Sequence, residues 1–127
     1  SRGIRKWREQ GLDKNMHFFK NLPIDVYVRL MQKCGCLIGN SSSGIREGAF
    51  LGTPVVNIGS RQDMRERGEN VIDVDYNCKS ITAAIDKQLT HGSFGHQPIY
   101  GDGTAGFQIA KTLSELGPIE VQKRINY

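Results

Sequence analysis

Apolar and polar positions follow two rhythms along this chain. From Asp25 to Cys34, the residues Tyr27, Leu30, Met31 and Cys34 recur at i, i+3, i+4 and i+7, with Pro23 just ahead and Gly35 just behind. That spacing lines one face of a helix, and the proline and glycine punctuate its ends, so an amphipathic helix is expected here. Cys36-Leu37-Ile38, bounded by Gly35 and Gly39, is too short for a helix and suits a strand buried on both faces. Val55-Val56-Asn57-Ile58 reads the same way, and so does Val71-Ile72-Asp73-Val74.

Between the first two strands, Ser43 to Leu51 has room for about two turns of helix. Further on, Ser80 can cap a helix carrying Ile81, Ala84, Ile85 and Leu89, and a last helix from Gly106 to Leu116 carries Ile109, Ala110, Leu113 and Leu116. Strands that alternate with helices imply parallel pairing through right-handed crossovers. The expected fold class is therefore α/β, a Rossmann-like three-layer domain with a parallel sheet. No internal repeat or low-complexity tract interrupts it, and the longest loop is the stretch His91 to Gly103.

Length and composition narrow the picture. A chain of 127 residues suits one domain, residues 1–127, with a single core and no need of disulfides. Cys34, Cys36 and Cys78 are an odd number without metal-ligand spacing, so reduced, partly buried thiols are expected, with no metal site and no cofactor. No run approaches the ~18 to 20 apolar residues that span a membrane, and no leader pattern opens the chain, which points to a soluble cytoplasmic protein. The opening Ser-Arg-Gly-Ile-Arg lacks a Met and reads like the interior of a helix, as expected for a piece of a larger protein. The net charge is +4. Its Lys and Arg are mixed with acids, as in Arg61-Gln62-Asp63-Met64-Arg65-Glu66-Arg67, without interleaved aromatics, so nucleic acid is not the expected partner.

The candidate chemistry lies at Gly39-Asn40-Ser41-Ser42-Ser43-Gly44, between the first strand and the helix after it. In parallel α/β sheets, ligands bind at this carboxyl edge. Small residues such as Gly44 let the backbone approach a ligand, serine hydroxyls add donors, and helix N–H groups face an anion, so a phosphate or diphosphate is a natural guest. The plainer alternative is that Ser42 or Ser43 only caps the helix, since Ser-x-x-Arg-Glu is close to a capping box. The turn is neither a Walker loop nor a dinucleotide fingerprint, because Gly-Lys-Ser/Thr and Gly-x-Gly-x-x-Gly are both missing. Glu47, one turn on, could accept hydrogen bonds from a ribose diol, or could stand there for dipole reasons alone. Arg61, just after the second strand, would reach the same edge and could pair with a phosphate.

The stretch "GNSSSGIREGAFLGTPVVNIGSRQ", followed by "RERGENVIDV" and "IYGDGTA", closely resembles the C-terminal half of the UDP-N-acetylglucosamine 2-epimerase family. The likeness runs from about Ile4 to Leu116. Asn40-Ser41-Ser42-Ser43-Gly44-Ile45-Arg46-Glu47 is closer to the hydrolysing branch than to the Asp-Ser-Gly-Gly-Ile-Gln-Glu-Glu of the non-hydrolysing one, and Gly48 stands where that branch has a second acid.

The resemblance implies a GT-B type fold, of which this chain would be the C-terminal nucleotide-binding half, with the N-terminal catalytic domain absent. It also implies that UDP contacts Ser41, Ser42, Gly44, Glu47 and Arg61, and that UDP-GlcNAc is converted to N-acetylmannosamine and UDP by elimination and hydration. The carboxylates for proton transfer would come from the N-terminal domain, so no catalytic residue is expected in this stretch, and the chain alone would be inactive. His17, His91 and His96 are given no nucleotide role. A homo-oligomer is expected of the full-length protein, in sialic acid biosynthesis or a related glycan route. Arg5 and Arg8 match arginines of a feedback site for CMP-sialic acid in the animal enzyme, although a solvated helix face explains them more simply. Tyr100-Gly101-Asp102-Gly103-Thr104 resembles a signature of the family and so a ligand contact, although it reads more simply as a tight turn with Thr104 as an N-cap ahead of the last helix. A stand-alone nucleotide-binding module and the nucleotide domain of a GT-B glycosyltransferase are the competing readings.

Overall fold

A computed structural model describes residues 2–11 and 14–118. The chain divides into two compact units, residues 1–30 and 31–127. In the first, helix α1 (Arg2–Glu9) buries no residue, and the Arg8 guanidinium lies 4.7 Å over the Phe18 ring. Helix α2 (Ile24–Lys33) has the amphipathic spacing read above; the division between the units falls within it, and its buried residue, Met31, belongs to the second.

The second unit is built on three parallel strands, β1 (Leu37–Gly39), β2 (Val55–Ile58) and β3 (Val71–Val74), in the order β1-β2-β3. The register pairs Gly39 with Asn57 and Asn57 with Asp73, so the strands end side by side at one edge. Only the central strand meets the expectation of burial on both faces. Val55, Val56 and Asn57 are buried, whereas Ile38 in β1 is 47% exposed. The core gathers Met31, Ile45, Ala49, Val55, Val56 and Ala84. Among the described residues no helix is long and apolar enough to cross a membrane.

The helix expected between β1 and β2 is present but broken. It forms as α3 (Ser42–Ile45) and α4 (Glu47–Leu51), with Arg46 between them at φ −86° and ψ −71°. Ser41, rather than Ser42 or Ser43, is the N-cap, its Oγ accepting the Ser43 N–H at 3.4 Å. Helix α4 ends at Gly52 in the left-handed region, φ 70°. Helix α5 (Cys78–His91) places Ala84 and Gln88 in the core. Its cap is Asn77, whose Oδ1 accepts the Ser80 N–H at 3.1 Å, so Ser80 is inside the first turn and not at its start.

Helix α6 (Ala105–Glu115) shows the expected periodicity but buries none of its residues. Thr104 occupies its N-cap position without capping. Its hydroxyl donates to Asp102 Oδ1 at 2.6 Å, and the Thr104 N–H donates to the same oxygen at 2.9 Å, which closes the tight turn.

Buried polar groups join these elements. Gln88 Nε2 donates to the carbonyls of Val55 at 2.7 Å and Asn70 at 2.8 Å, locking α5 onto the start of β2 and β3. Thr53 Oγ1 donates to the Met31 carbonyl at 2.9 Å. Burial pushes the Cys34 thiol up from its ordinary pKa, and burial followed by the charge of Cys34 does the same for Cys36. Both thiols are partly buried, while Cys78 is exposed.

Candidate functional site

The turn that leaves β1 is held by the segment that joins β2 to β3, which is anchored in turn on those two strands. Asn57 Nδ2 donates to Asp73 Oδ1 at 2.6 Å across the β2–β3 register. Asp73 Oδ2 in turn lies 2.6 Å from Arg67 Nε, out of line for an N–H···O bond, so that contact is an ion pair. Arg67 Nη2 donates to the Gln62 carbonyl at 2.9 Å, and Gln62 Nε2 reaches the Asn40 carbonyl at 2.7 Å. A chain of five polar residues therefore runs from the centre of the sheet to the turn that precedes α3.

Arg61 arrives by the same route. It sits in the single 3₁₀ turn Ser60–Gln62 that follows β2, and its Nη1 is 3.5 Å from Asn40 Oδ1, a long hydrogen bond. The guanidinium is thus brought beside the serine turn, as the spacing after β2 implied. Ser41 is exposed and Ser42 partly exposed, and Ser41 Oγ shares a hydrogen bond of 2.9 Å with Ser43 Oγ. Capping occupies the Ser41 oxygen as an acceptor, and its one hydrogen can donate to an anion when Ser43 is the donor in the Ser41–Ser43 bond.

Gly44 stands differently. It is buried, and a Cβ there would lie 2.9 Å from Val55 Cγ1 and 3.3 Å from Leu37 Cδ2, so its small size lets α3 press onto the sheet. Because α3 is only four residues long, its dipole is small, and the hydroxyls and the guanidinium are the stronger anion donors.

Glu47 is exposed and faces a separate recess of about 180 Å³, lined with Arg46, Phe50, Gln97, Tyr100 and Gly101. The far wall is a strap, residues 94–101, tied down by several bonds. The Phe94 N–H donates to the Gly52 carbonyl at 2.8 Å, and the Gln97 N–H donates to the Ala49 carbonyl at 3.0 Å. The Glu69 N–H donates to Gln97 Oε1 at 2.9 Å, and the Tyr100 hydroxyl donates to the Glu66 carbonyl at 2.6 Å. The Arg46 guanidinium stands 5.9 Å from the centre of the Tyr100 ring. Tyr100 therefore does more than close a turn, since it builds a wall beside Glu47.

Asn40, Gln62, Arg67 and Gln97 were not singled out in the sequence. The available signals were Asn57 and Asp73, each a polar residue inside an otherwise apolar strand. Arg5 belongs to a helix that buries no residue and lines a surface hollow with Arg2, Gly3, Lys6 and Glu9. Arg8 is engaged with Phe18.

A parallel sheet with a serine turn and a guanidinium at the carboxyl ends of adjacent strands is the plan of a Rossmann-like ligand-binding domain. The family model described as UDP-N-acetylglucosamine 2-epimerase matches residues 3–114. The chain belongs to that family. It is 35% identical over 114 residues to a UDP-N,N'-diacetylbacillosamine 2-epimerase (hydrolyzing) of Legionella pneumophila, covering 87% of this chain and 30% of that protein. It is 30% identical over 111 residues to a UDP-N-acetylglucosamine 2-epimerase of Neisseria meningitidis, covering 84% of this chain and 29% of the other. A GDP/UDP-N,N'-diacetylbacillosamine 2-epimerase (hydrolyzing) of Campylobacter jejuni is 48% identical over 67 residues, 50% of this chain and 17% of that protein. The chain thus spans under a third of the length of these relatives.

Proposed function

We propose that this chain is the UDP-binding, C-terminal portion of a hydrolysing UDP-N-acetylglucosamine 2-epimerase, one half of a GT-B type architecture. The observation that carries the reading is the convergence of Arg61 and the serine turn on Asn40, in a chain matched by this family over residues 3–114. In this reading Ser41, Ser42 and Arg61 hold the diphosphate, Glu47 accepts from the ribose diol, and Gly44 sets the closeness of α3 to the sheet.

The reaction proposed for the full-length protein removes the C2 proton of the sugar and breaks the C1–O bond, with the bonding electrons leaving on UDP. Water then adds across the resulting double bond to release N-acetylmannosamine. The part played by this chain is to stabilise charge as it grows on the diphosphate, which hydroxyl and guanidinium donors do well when held in place beforehand. The proton-transferring carboxylates are assigned to the rest of the protein, and the isolated chain is proposed to bind UDP without turnover.

Calorimetry of the chain with UDP tests the site. Binding that weakens about tenfold or more in both Arg61→Ala and Glu47→Ala is expected, and binding that neither substitution changes would refute it. The names of the Legionella and Campylobacter relatives favour a second sugar, the UDP-linked diacetylbacillosamine unit, on the same nucleotide site. Incubating full-length protein with each UDP-sugar alone decides between the two, and a strict need for an acceptor would instead indicate a glycosyltransferase.

A further inference from the structure

The break between α3 and α4 has a cause that lies on another part of the chain. Asn70, just before β3, is fully buried, and its Nδ2 donates to the Gly44 carbonyl at 3.3 Å and to the Thr53 carbonyl at 2.9 Å. In an unbroken helix, the Gly44 carbonyl would accept the N–H of Gly48, four residues on. Here the Asn70 amide has entered the ladder at that point, and such insertion is one of the few causes of a sharp helix break.

Gly48 makes the space. A Cβ on it would lie 3.3 Å from Asn70 Nδ2, a tight approach, and 3.4 Å from Val55 Cγ2. The amide is itself held from behind, since its own backbone carbonyl accepts from Gln88 Nε2 at 2.8 Å and from the Val55 N–H at 2.8 Å. The break falls at Arg46, so Glu47 opens a new helix instead of standing one turn above Ser43 on a continuous one.

We infer that Asn70 and Gly48 are positioning residues for Glu47: the amide wedge sets the direction of α4 independently of α3 and aims the carboxylate at the recess beneath Tyr100. This inference rests on the reading of Glu47 as a nucleotide contact. Asn70→Ala should free the Gly44 carbonyl and let the two helices join, which carries Glu47 out of place.

Two measurements on the whole chain test it separately. Amide hydrogen exchange at Gly48 should slow by about tenfold in Asn70→Ala, as its N–H finds the Gly44 carbonyl. UDP affinity, by calorimetry, should fall about as far as in Glu47→Ala, and the double variant should be no weaker than either single one, which is the signature of two residues acting through one contact. Gly48→Ala, which crowds the wedge from the opposite side, should weaken UDP in the same non-additive way even if Asn70→Ala fails to fold. Additive losses, or affinity unchanged in both variants, overturn the positioning role, and unchanged exchange at Gly48 overturns the wedge. If the unaltered chain fails to bind UDP, the nucleotide reading falls and takes the role toward Glu47 with it, while exchange at Gly48 still judges the wedge.

Discussion

Replacing Gly52 by alanine puts the docking of the strap to a quantitative test. Gly52 has φ 70°, and a Cβ there would sit 2.1 Å from the Phe94 carbonyl oxygen and 2.9 Å from its carbon. Two costs follow. A non-glycine residue in the left-handed region costs about 1–2 kcal/mol. The clash is with backbone, so no side chain can swing aside, and residues 94 and 95 must move off. That motion breaks the 2.8 Å bond from the Phe94 N–H to the Gly52 carbonyl, a further loss of about 0.5–1.5 kcal/mol. Together the change should remove about 1.5–3.5 kcal/mol.

Urea unfolding followed by circular dichroism reads this as a midpoint lowered by ~1–2 M at unchanged slope. Gly52→Asn separates the two costs, because asparagine tolerates the left-handed region yet carries the same Cβ. It should recover the conformational share of the loss and leave the share due to the close approach, about 0.5–1.5 kcal/mol. Gly95→Ala is the control, since a Cβ there meets nothing within 4 Å. If Gly52→Asn restored the original midpoint, or if Gly52→Ala moved it no further than Gly95→Ala, the argument from close approach would be wrong.

Arg67→Ala removes the ion pair with Asp73 and the bond to the Gln62 carbonyl, and should lower stability by about 1–2 kcal/mol in the same urea assay. A change within 0.5 kcal/mol, as is usual for exposed pairs, would show that the polar chain does not hold the turn. The Thr104 hydroxyl and then the Thr104 N–H hold the Asp102 carboxyl below its ordinary pKa. Its contribution to stability is therefore present above the unfolded value, about 3.9, and is lost as pH falls through the lower folded value. Thr104→Val should raise the Asp102 midpoint in a carbon-detected NMR titration, and an unmoved midpoint would discount the hydroxyl. In alkylation with iodoacetamide at pH 8, exposed Cys78 should react first and the raised thiols Cys34 and Cys36 about tenfold more slowly or less. Equal rates read by mass spectrometry would contradict the burial argument.

Elements whose causes are local were legible in the sequence. The run Val55 to Ile58 became the central buried strand, and Tyr27, Leu30, Met31 and Cys34 marked a helix that forms over Ile24–Lys33. Caps were harder. Asn77 and Ser80 have similar capping power, as do the three consecutive serines, and only the path of the preceding chain decides among them. The break at Arg46 could not be read at all, because Asn70, its cause, is 26 positions away from the carbonyl it takes. Phe107, Ile109 and Leu113 are all more than half exposed, since periodicity specifies an apolar face but not what covers it. At the candidate site, Arg61 was placed at the right edge by counting from the strand. Gln62 and Arg67, which tether the turn, looked like members of a mixed-charge run until Asp73 and Asn40 were seen opposite them.

The strap also bears on how the chain reaches its native state. The bonds that seat it link positions 28, 34, 42 and 48 apart in the chain. Contacts of such separation are entropically expensive to close and form late, after local helices and neighbouring strands have already condensed. The three strands lie wholly within residues 37–74, ahead of the strap, so a growing chain can pair its sheet before the recess beside Glu47 has a second wall. The second wall of that recess is therefore expected to form after the sheet, and to open before the sheet does on mild destabilisation.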